Sequence, residues 1–151
     1  MKPHPTVADD VPVHVQTRFG AFDVRARDMV SFPEGLPGFE QCRNFVVLTA
    51  EHIAPFQGLH AVDGPPASFL TIDPRRVMPA YRCQLSRHDQ QRLSAGADTV
   101  LLWLAIVTLT EGQAFANLRA PVVINPARMV GFQVMPLNAL YPLRHPLTDG
   151  E

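Results

Sequence analysis

The chain has 151 residues, 46% of them hydrophobic and 18% charged, with a formal net charge of −1. That length suits one domain, which buries roughly 70% of the surface its unfolded chain exposes and so needs no metal or disulfide staple. Thirteen basic residues are spread among fourteen acidic ones with no polybasic run, which argues against the basic face of a nucleic-acid binder, and the longest apolar run, Val100 to Val107, is far too short to span a bilayer.

Residues 1–12 are polar, carry three prolines and read as a disordered leader without the apolar core of a secretion signal. The pattern then turns short and β-like. VHVQTRFGAFDVRA alternates around Gly20, with Val13, Val15 and Thr17 on one face and Phe22 and Val24 after the turn, a hairpin pattern. DMVSF is a short strand ending at Pro33, and the unbroken apolar run of NFVVLTA predicts a strand buried on both faces. FQGLHAVD and ASFLTID flank the turn Asp63-Gly64-Pro65-Pro66 as a second hairpin. In LSRHDQQRLSAG, Ser86 caps a short helix near 87–94, Asp89 makes a capping-box variant and Gly96 supplies the stop. Segment 99–109 fits either period, but its valines, threonines, isoleucine and tryptophan make it a long central strand. After a turn near Gly112 come AFANLRAPVVINP, MVGFQVM and LYPLRHPL, and fifteen prolines leave little room for long helices.

The fold class that follows is mostly β: a small antiparallel β-barrel-like single domain over 13–147 with one or two short helices, then a flexible tail at 148–151. Closure protects the edges of many short strands.

Catalytic and metal constellations are missing from the pattern. There is no GxSxG elbow, no HExxH and no phosphate-cradling glycine loop. His52, His60 and His88 read as boundary or surface residues, Cys42 and Cys83 as ordinary reduced thiols, and Glu34 and Glu40 as solvated carboxylates. The expectation is a protein that works by binding, with no cofactor, metal or small-molecule substrate.

Three segments occur in an order that resembles the FliW family of flagellar assembly factors: TRFGAFDV running into SFPEGLPGFEQCRNFVVL, then APVVINPARMVGFQV, then YPLRHPL, with FLTIDP between the first two. The resemblance spans roughly residues 15 to 147 of the chain. It implies a cytoplasmic, non-enzymatic β-barrel-like protein with two protein partners, flagellin and the RNA-binding translational regulator CsrA, and no direct contact with nucleic acid or membrane. Flagellin that accumulates occupies the factor and leaves CsrA free to repress flagellin translation; export of flagellin frees the factor to sequester CsrA. The alternative is a flagellin chaperone without the regulatory arm. This chain departs from the pattern after GFQV: it reads MPLNAL where the family usually has an acidic, polar stretch, and Phe132 stands where Lys or Arg is common.

The loop PEGLPGFE combines two glycines, free to take angles barred to other residues, with two prolines that fix φ. It is held in one shape. Leu36 and Phe39 then either plug the barrel end or are presented to a partner. Leu137 and Leu140 add apolar surface beside Pro136, so the partner-binding candidates are Leu36, Phe39, Leu137 and Leu140. In YPLRHPL, Tyr141 and Leu143 are expected to pack, and Arg144 and His145 to pin the segment through backbone carbonyls; Asn125 before Pro126 reads as a turn residue.

Overall fold

The computed structural model describes residues 11–137 and 140–147. The first ten residues of the expected leader and the whole expected tail lie outside the described residues.

Strands β1 (Val13–Thr17) and β2 (Gly20–Val24) form the first hairpin, with Val13 opposite Val24 and Val15 opposite Phe22. The Thr17 hydroxyl fixes the turn: it donates to the Gly20 carbonyl at 2.9 Å and accepts the Phe19 amide at 3.0 Å. Val15, Phe22 and Val24 pack together against Val46 and Leu48.

Seven strands close the barrel. β3 (Met29–Ser31), β4 (Asn44–Leu48), β5 (Gln57–Ala61), β6 (Ser68–Ile72) and β7 (Leu102–Thr110) follow one another as antiparallel neighbours from β3 to β7. The nine-residue β7 then divides its pairing. Its first part, Leu102 to Leu104, meets β9 (Val122–Asn125), while Val107 to Thr110 meets β8 (Gln113–Ala116). β9 turns into β10 (Val130–Gln133), and β10 reaches β3 through the pairing Val130–Ser31, which is parallel where every other strand contact among the described residues is antiparallel. β11 (His145–Leu147) adds to β8 outside the ring. The central strand expected over 99–109 thus begins at Leu102.

The barrel core forms around Phe32 and Phe45, whose rings meet edge-on with centroids 4.8 Å apart. Leu36, Leu59, Leu104, Val122 and Ile124 surround them, each at most 2% exposed. Burial of such a side chain contributes about 1.5–3 kcal/mol. A Cβ on Gly131 would sit 2.6 Å from the Phe32 ring, so β10 needs glycine there to let that ring in. β4 is covered on both faces, as its apolar run requires: Phe45 and Val47 pack into this core, and Val46 and Leu48 against the first hairpin.

Two short helices lie in the β6–β7 connection. In α1 (Pro74–Val77), Pro74 takes the first helical position and the Asp73 carboxylate caps the Arg75 amide at 2.9 Å. α2 (Arg87–Arg92) starts as the sequence predicts, with Ser86 Oγ accepting the Asp89 amide at 3.0 Å. It ends before the expected stop. Ser94, not Gly96, takes the left-handed conformation (φ 53°), and the Ser94 and Ala95 amides return to the carbonyls of Gln91 and Gln90. Asn125 is what holds that turn. It is 1% exposed, and its Nδ2 donates to the carbonyls of Leu93 at 2.7 Å and Ser94 at 3.4 Å, while its Oδ1 accepts the Ala127 amide at 3.0 Å. It is therefore a latch between α2 and the barrel as well as a turn residue. Among the described residues no helix is long and apolar enough to cross a membrane.

Candidate interaction surface

The loop between β3 and β4 is rigid for reasons visible residue by residue. Gly35 has φ 63°, and a Cβ there would lie 2.7 Å from the Glu40 Cα and the Phe39 carbonyl oxygen. Only glycine lets the two arms of the loop close on each other. Arg43 stitches the base: its Nε donates to the Glu40 carbonyl at 2.7 Å and its Nη1 to the Pro33 carbonyl at 2.8 Å. The Glu40 carboxylate accepts the Gly38 amide at 2.7 Å, so this residue is tied into the loop despite its exposure. Glu34 reaches Arg92 at 2.8 Å.

Within this frame Leu36 and Phe39 part company. Leu36 is 2% exposed and belongs to the barrel core, which removes it from any surface offered to a partner. Phe39 is 36% exposed and lies edge-on to Phe69 at 5.1 Å. The chain reverses between them at Gly38 (φ 85°), and the Phe39 amide donates to the Leu36 carbonyl at 2.7 Å.

Arg92 joins three elements. It bonds Asp89 at 2.5 Å within α2 and Glu34 on the loop, and its guanidinium lies 4.4 Å from the centre of the Phe132 ring on β10. Burial opposes its charge, but the hydrogen bonds it donates to Asp89 and Glu34 prevail and raise its pKa further. Phe132 is itself buried.

The segment after β10 carries the other candidates. Met135, Leu137 and Leu140 are 58%, 65% and 88% exposed. The ledge is anchored on either side. Before it, the Val134 amide donates to the Pro121 carbonyl, and within it the Leu137 amide donates to the Gln84 carbonyl at 3.1 Å. After it, the Tyr141 ring stacks on Tyr81 at 4.5 Å, and its hydroxyl accepts the Arg82 amide at 2.9 Å. Met135 was not among the sequence candidates, although it heads the MPLNAL word that contains two of them. Two expectations for the C-terminal segment change. Leu143 is 49% exposed rather than packed. Arg144 lies over the Phe115 ring at 4.4 Å, and the carbonyl of Tyr141 is held instead by Arg119 Nε at 2.9 Å.

Several ionisable groups are engaged in structure. His52 Nε2 bonds the Phe19 carbonyl at 2.7 Å, and His60 bonds the Ser68 hydroxyl, with burial pushing the His60 pKa down. Both cysteines are free thiols; burial, then the Asp63 charge, raises the pKa of Cys42, and burial raises that of Cys83. Neither is an activated nucleophile at neutral pH. A cleft of about 450 Å³ lies where the β1–β2 hairpin meets the barrel; its lining includes Val24, Val46 and Met129 with Asp23, Arg27 and Asp28. Among the described residues no group of three or more His, Cys, Asp or Glu is placed to hold a metal ion.

Asp63 gives a pH prediction. Burial works against its charge, but hydrogen bonds from the Asn44 side chain (2.8 Å) and the amides of Asn44 and Arg43 hold its carboxyl below the usual range. A carboxylate with a depressed folded pKa stabilises fully above its unfolded value of about 3.9 and loses that contribution as pH falls through the lower folded value. Urea midpoints are expected to drop below about pH 4 more steeply in the parent than in Asp63→Asn. Parallel pH profiles would show that the Asp63 carboxylate adds nothing to stability.

The chain and its seven-strand barrel have counterparts among known proteins. The family model described as FliW protein matches residues 14–147. A flagellar assembly factor FliW from Geotalea uraniireducens is 34% identical over 135 residues, covering 88% of this chain and 82% of that protein. One from Carboxydothermus hydrogenoformans is 35% identical over 131 residues, covering 85% and 84%. A crystal structure of the flagellar assembly factor FliW superposes with a TM-score of 0.80 at 30% identity, over 89% of this chain and 96% of the other. With matching sequence, order of elements and barrel, the chain belongs to the FliW family of flagellar assembly factors.

Proposed function

We propose that this protein acts in the cytoplasm by binding, not catalysis: it holds newly made flagellin and, when flagellin is exported, sequesters CsrA, so that flagellin synthesis follows flagellum assembly. The observation that carries the binding role is the ledge. Met135 and Leu137 expose apolar side chains on a backbone bonded to Pro121 and Gln84, and Leu140 exposes another beside Tyr141, which stacks on Tyr81. A preformed apolar surface of this kind suits an amphipathic segment that orders as it binds, at a lower cost than a mobile one. Flagellin captured this way is kept from premature assembly.

A second reading, a flagellin chaperone without the CsrA arm, has one observation in its favour. From Gly112 to Thr148 the chain carries no Asp or Glu, while Arg119, Arg128 and Arg144 are present. An acidic face toward a basic RNA-binding protein is therefore not supplied by this part of the sequence.

Calorimetric titration of flagellin into the parent and into the double variant Leu137→Glu/Leu140→Glu tests the ledge. Both side chains are exposed, so the fold is expected to survive and flagellin affinity to fall at least about tenfold, or 1.4 kcal/mol. Unchanged affinity in a folded variant moves the flagellin site elsewhere.

A further inference from the structure

The cleft of about 450 Å³ between the hairpin and the barrel runs along strand edges. Phe22, Asp23 and Val24 of β2 line it in succession, and so do Val46, Val47 and Leu48 of β4. Successive side chains of a strand point to opposite faces, so a cleft that meets several in a row follows the backbone between them. Both edges are open. β1 and β2 form a two-stranded sheet of their own, and among the described residues no strand pairs with the far side of β2. The turn at Arg18 and Phe19 closes on Thr17 and Gly20, and the alternation of an antiparallel ladder then directs the Asp23 amide away from β1. β3 leaves β4 after the pair Met29–Val46, so Val47 and Leu48 have β5 on one side and no described strand on the other. The charges that line the cleft are answered within the chain: Asp23 by His14 at 2.9 Å, Asp28 by the Arg25 amide at 2.8 Å, and Arg27 by a contact of its own. What is left for an occupant is open backbone and apolar side chain, with Leu102, Ile124 and Met129 on the barrel side.

We propose that this cleft is a strand-addition site: it takes an extended, uncharged segment of a partner protein, apolar at alternate positions, as a third strand beside β2. The main chain of the segment supplies donors and acceptors to the open β2 edge, which is a template for such pairing. Its alternate side chains point into the cleft, toward Val24, Ile124 and Met129. An uncharged segment fits because the charges of the cleft are already engaged, and a charge taken onto this apolar surface would lose its water without gaining a partner. A helix fits less well, since its main chain is satisfied internally and would leave the β2 edge open. A two-stranded sheet is marginal by itself, so the added strand also firms the hairpin. The site shares no residue with the ledge and serves whichever protein carries the segment.

The isotope-labelled full chain is titrated, with its amide resonances followed, against the acetylated and amidated peptide Thr-Val-Thr-Ile-Thr-Val. The control is the same peptide N-methylated along both edges, which keeps the side chains and removes the main-chain donors. The parent peptide is expected to give saturable shifts at the Asp23 and Val47 amides, to slow hydrogen exchange at Asp23, and to bind with little dependence on salt. The methylated peptide is expected to bind at least tenfold more weakly. Asp23→Pro, which removes the outward amide at an exposed position, is expected to cost the parent peptide at least tenfold; if that variant fails to fold, the methylated peptide decides. Equal affinity for the methylated peptide, shifts that leave Asp23 unmoved, or no saturable response overturns the proposal. So does an Asp23 amide already protected in the free chain: protection independent of protein concentration means that the chain's own residues fill the cleft, and protection that grows with concentration means that a second copy does.

Discussion

Leu36→Ala is expected to destabilise the protein by about 2–5 kcal/mol, and Phe39→Ala by only about 1 kcal/mol. The two residues are three apart on one loop, yet their surroundings differ in kind. Leu36 is 2% exposed, among Phe32, Phe45 and their neighbours in the close-packed core, and its truncation leaves a cavity that the barrel wall cannot collapse to fill. Phe39 is 36% exposed and loses one edge-on aromatic contact with Phe69. Urea denaturation at neutral pH separates them. If the two midpoints shift equally, the division between a plugging leucine and a surface phenylalanine is wrong. If Phe39→Ala also weakens flagellin binding with its stability nearly intact, Phe39 belongs to the partner surface.

Asn125→Ala is expected to cost about 3 kcal/mol, which is large for one polar residue. Its side chain bonds the Leu93 and Ser94 carbonyls and the Ala127 amide, at a site that water does not reach. Removing it leaves those groups without their partner, and each buried unsatisfied polar group costs about 1–3 kcal/mol. The effect is also local. Ser94 is a non-glycine residue at φ 53°, a conformation that needs external support. Amide hydrogen exchange is expected to quicken first at Ser94 and Ala95, whose amides close the end of α2. A loss below about 0.5 kcal/mol, within the range of an ordinary surface change, would show that the latch is dispensable.

Much of the barrel is legible in the sequence because its signals are local. The alternation around Gly20 places Val15 opposite Phe22, the turn before Ala67 separates β5 from β6, and Ser86 caps α2 as its position suggests. Closure is not local. It depends on β7 being long enough to pair with β9 through Leu102 to Leu104 and with β8 from Val107 onward, and no periodicity within 99–109 encodes a strand with two partners. The one parallel contact, Val130–Ser31, joins residues almost a hundred positions apart and leaves no trace in either segment.

The candidate surface was legible in part, for the same reason. MPLNAL stands out as apolar residues beside a proline, and Leu137 and Leu140 are indeed exposed. The separation of Leu36 from Phe39 appears only in the fold, where Leu36 joins Phe32 and Phe45 in the core and Phe39 stays at the surface. The link from Glu34 to Arg92 spans 58 positions, so Glu34 reads as a solvated carboxylate until the fold brings α2 beside the loop. Arg75, Arg82 and Trp103 likewise come to line one cleft only when the fold brings the β6–β7 connection beside β7.

The partner switch is the central claim, and mutual exclusion is its measurable content. Linkage sets the size of the effect: flagellin at a hundred times its own dissociation constant weakens the apparent affinity of a competing ligand by about a hundredfold, or roughly 2.7 kcal/mol. The direct measurement is calorimetric titration of CsrA into the protein, once alone and once with flagellin at that concentration. The expected result is CsrA binding in the first titration and about a hundredfold weaker binding in the second; equal CsrA affinity in both, or no CsrA binding in either, would contradict the switch.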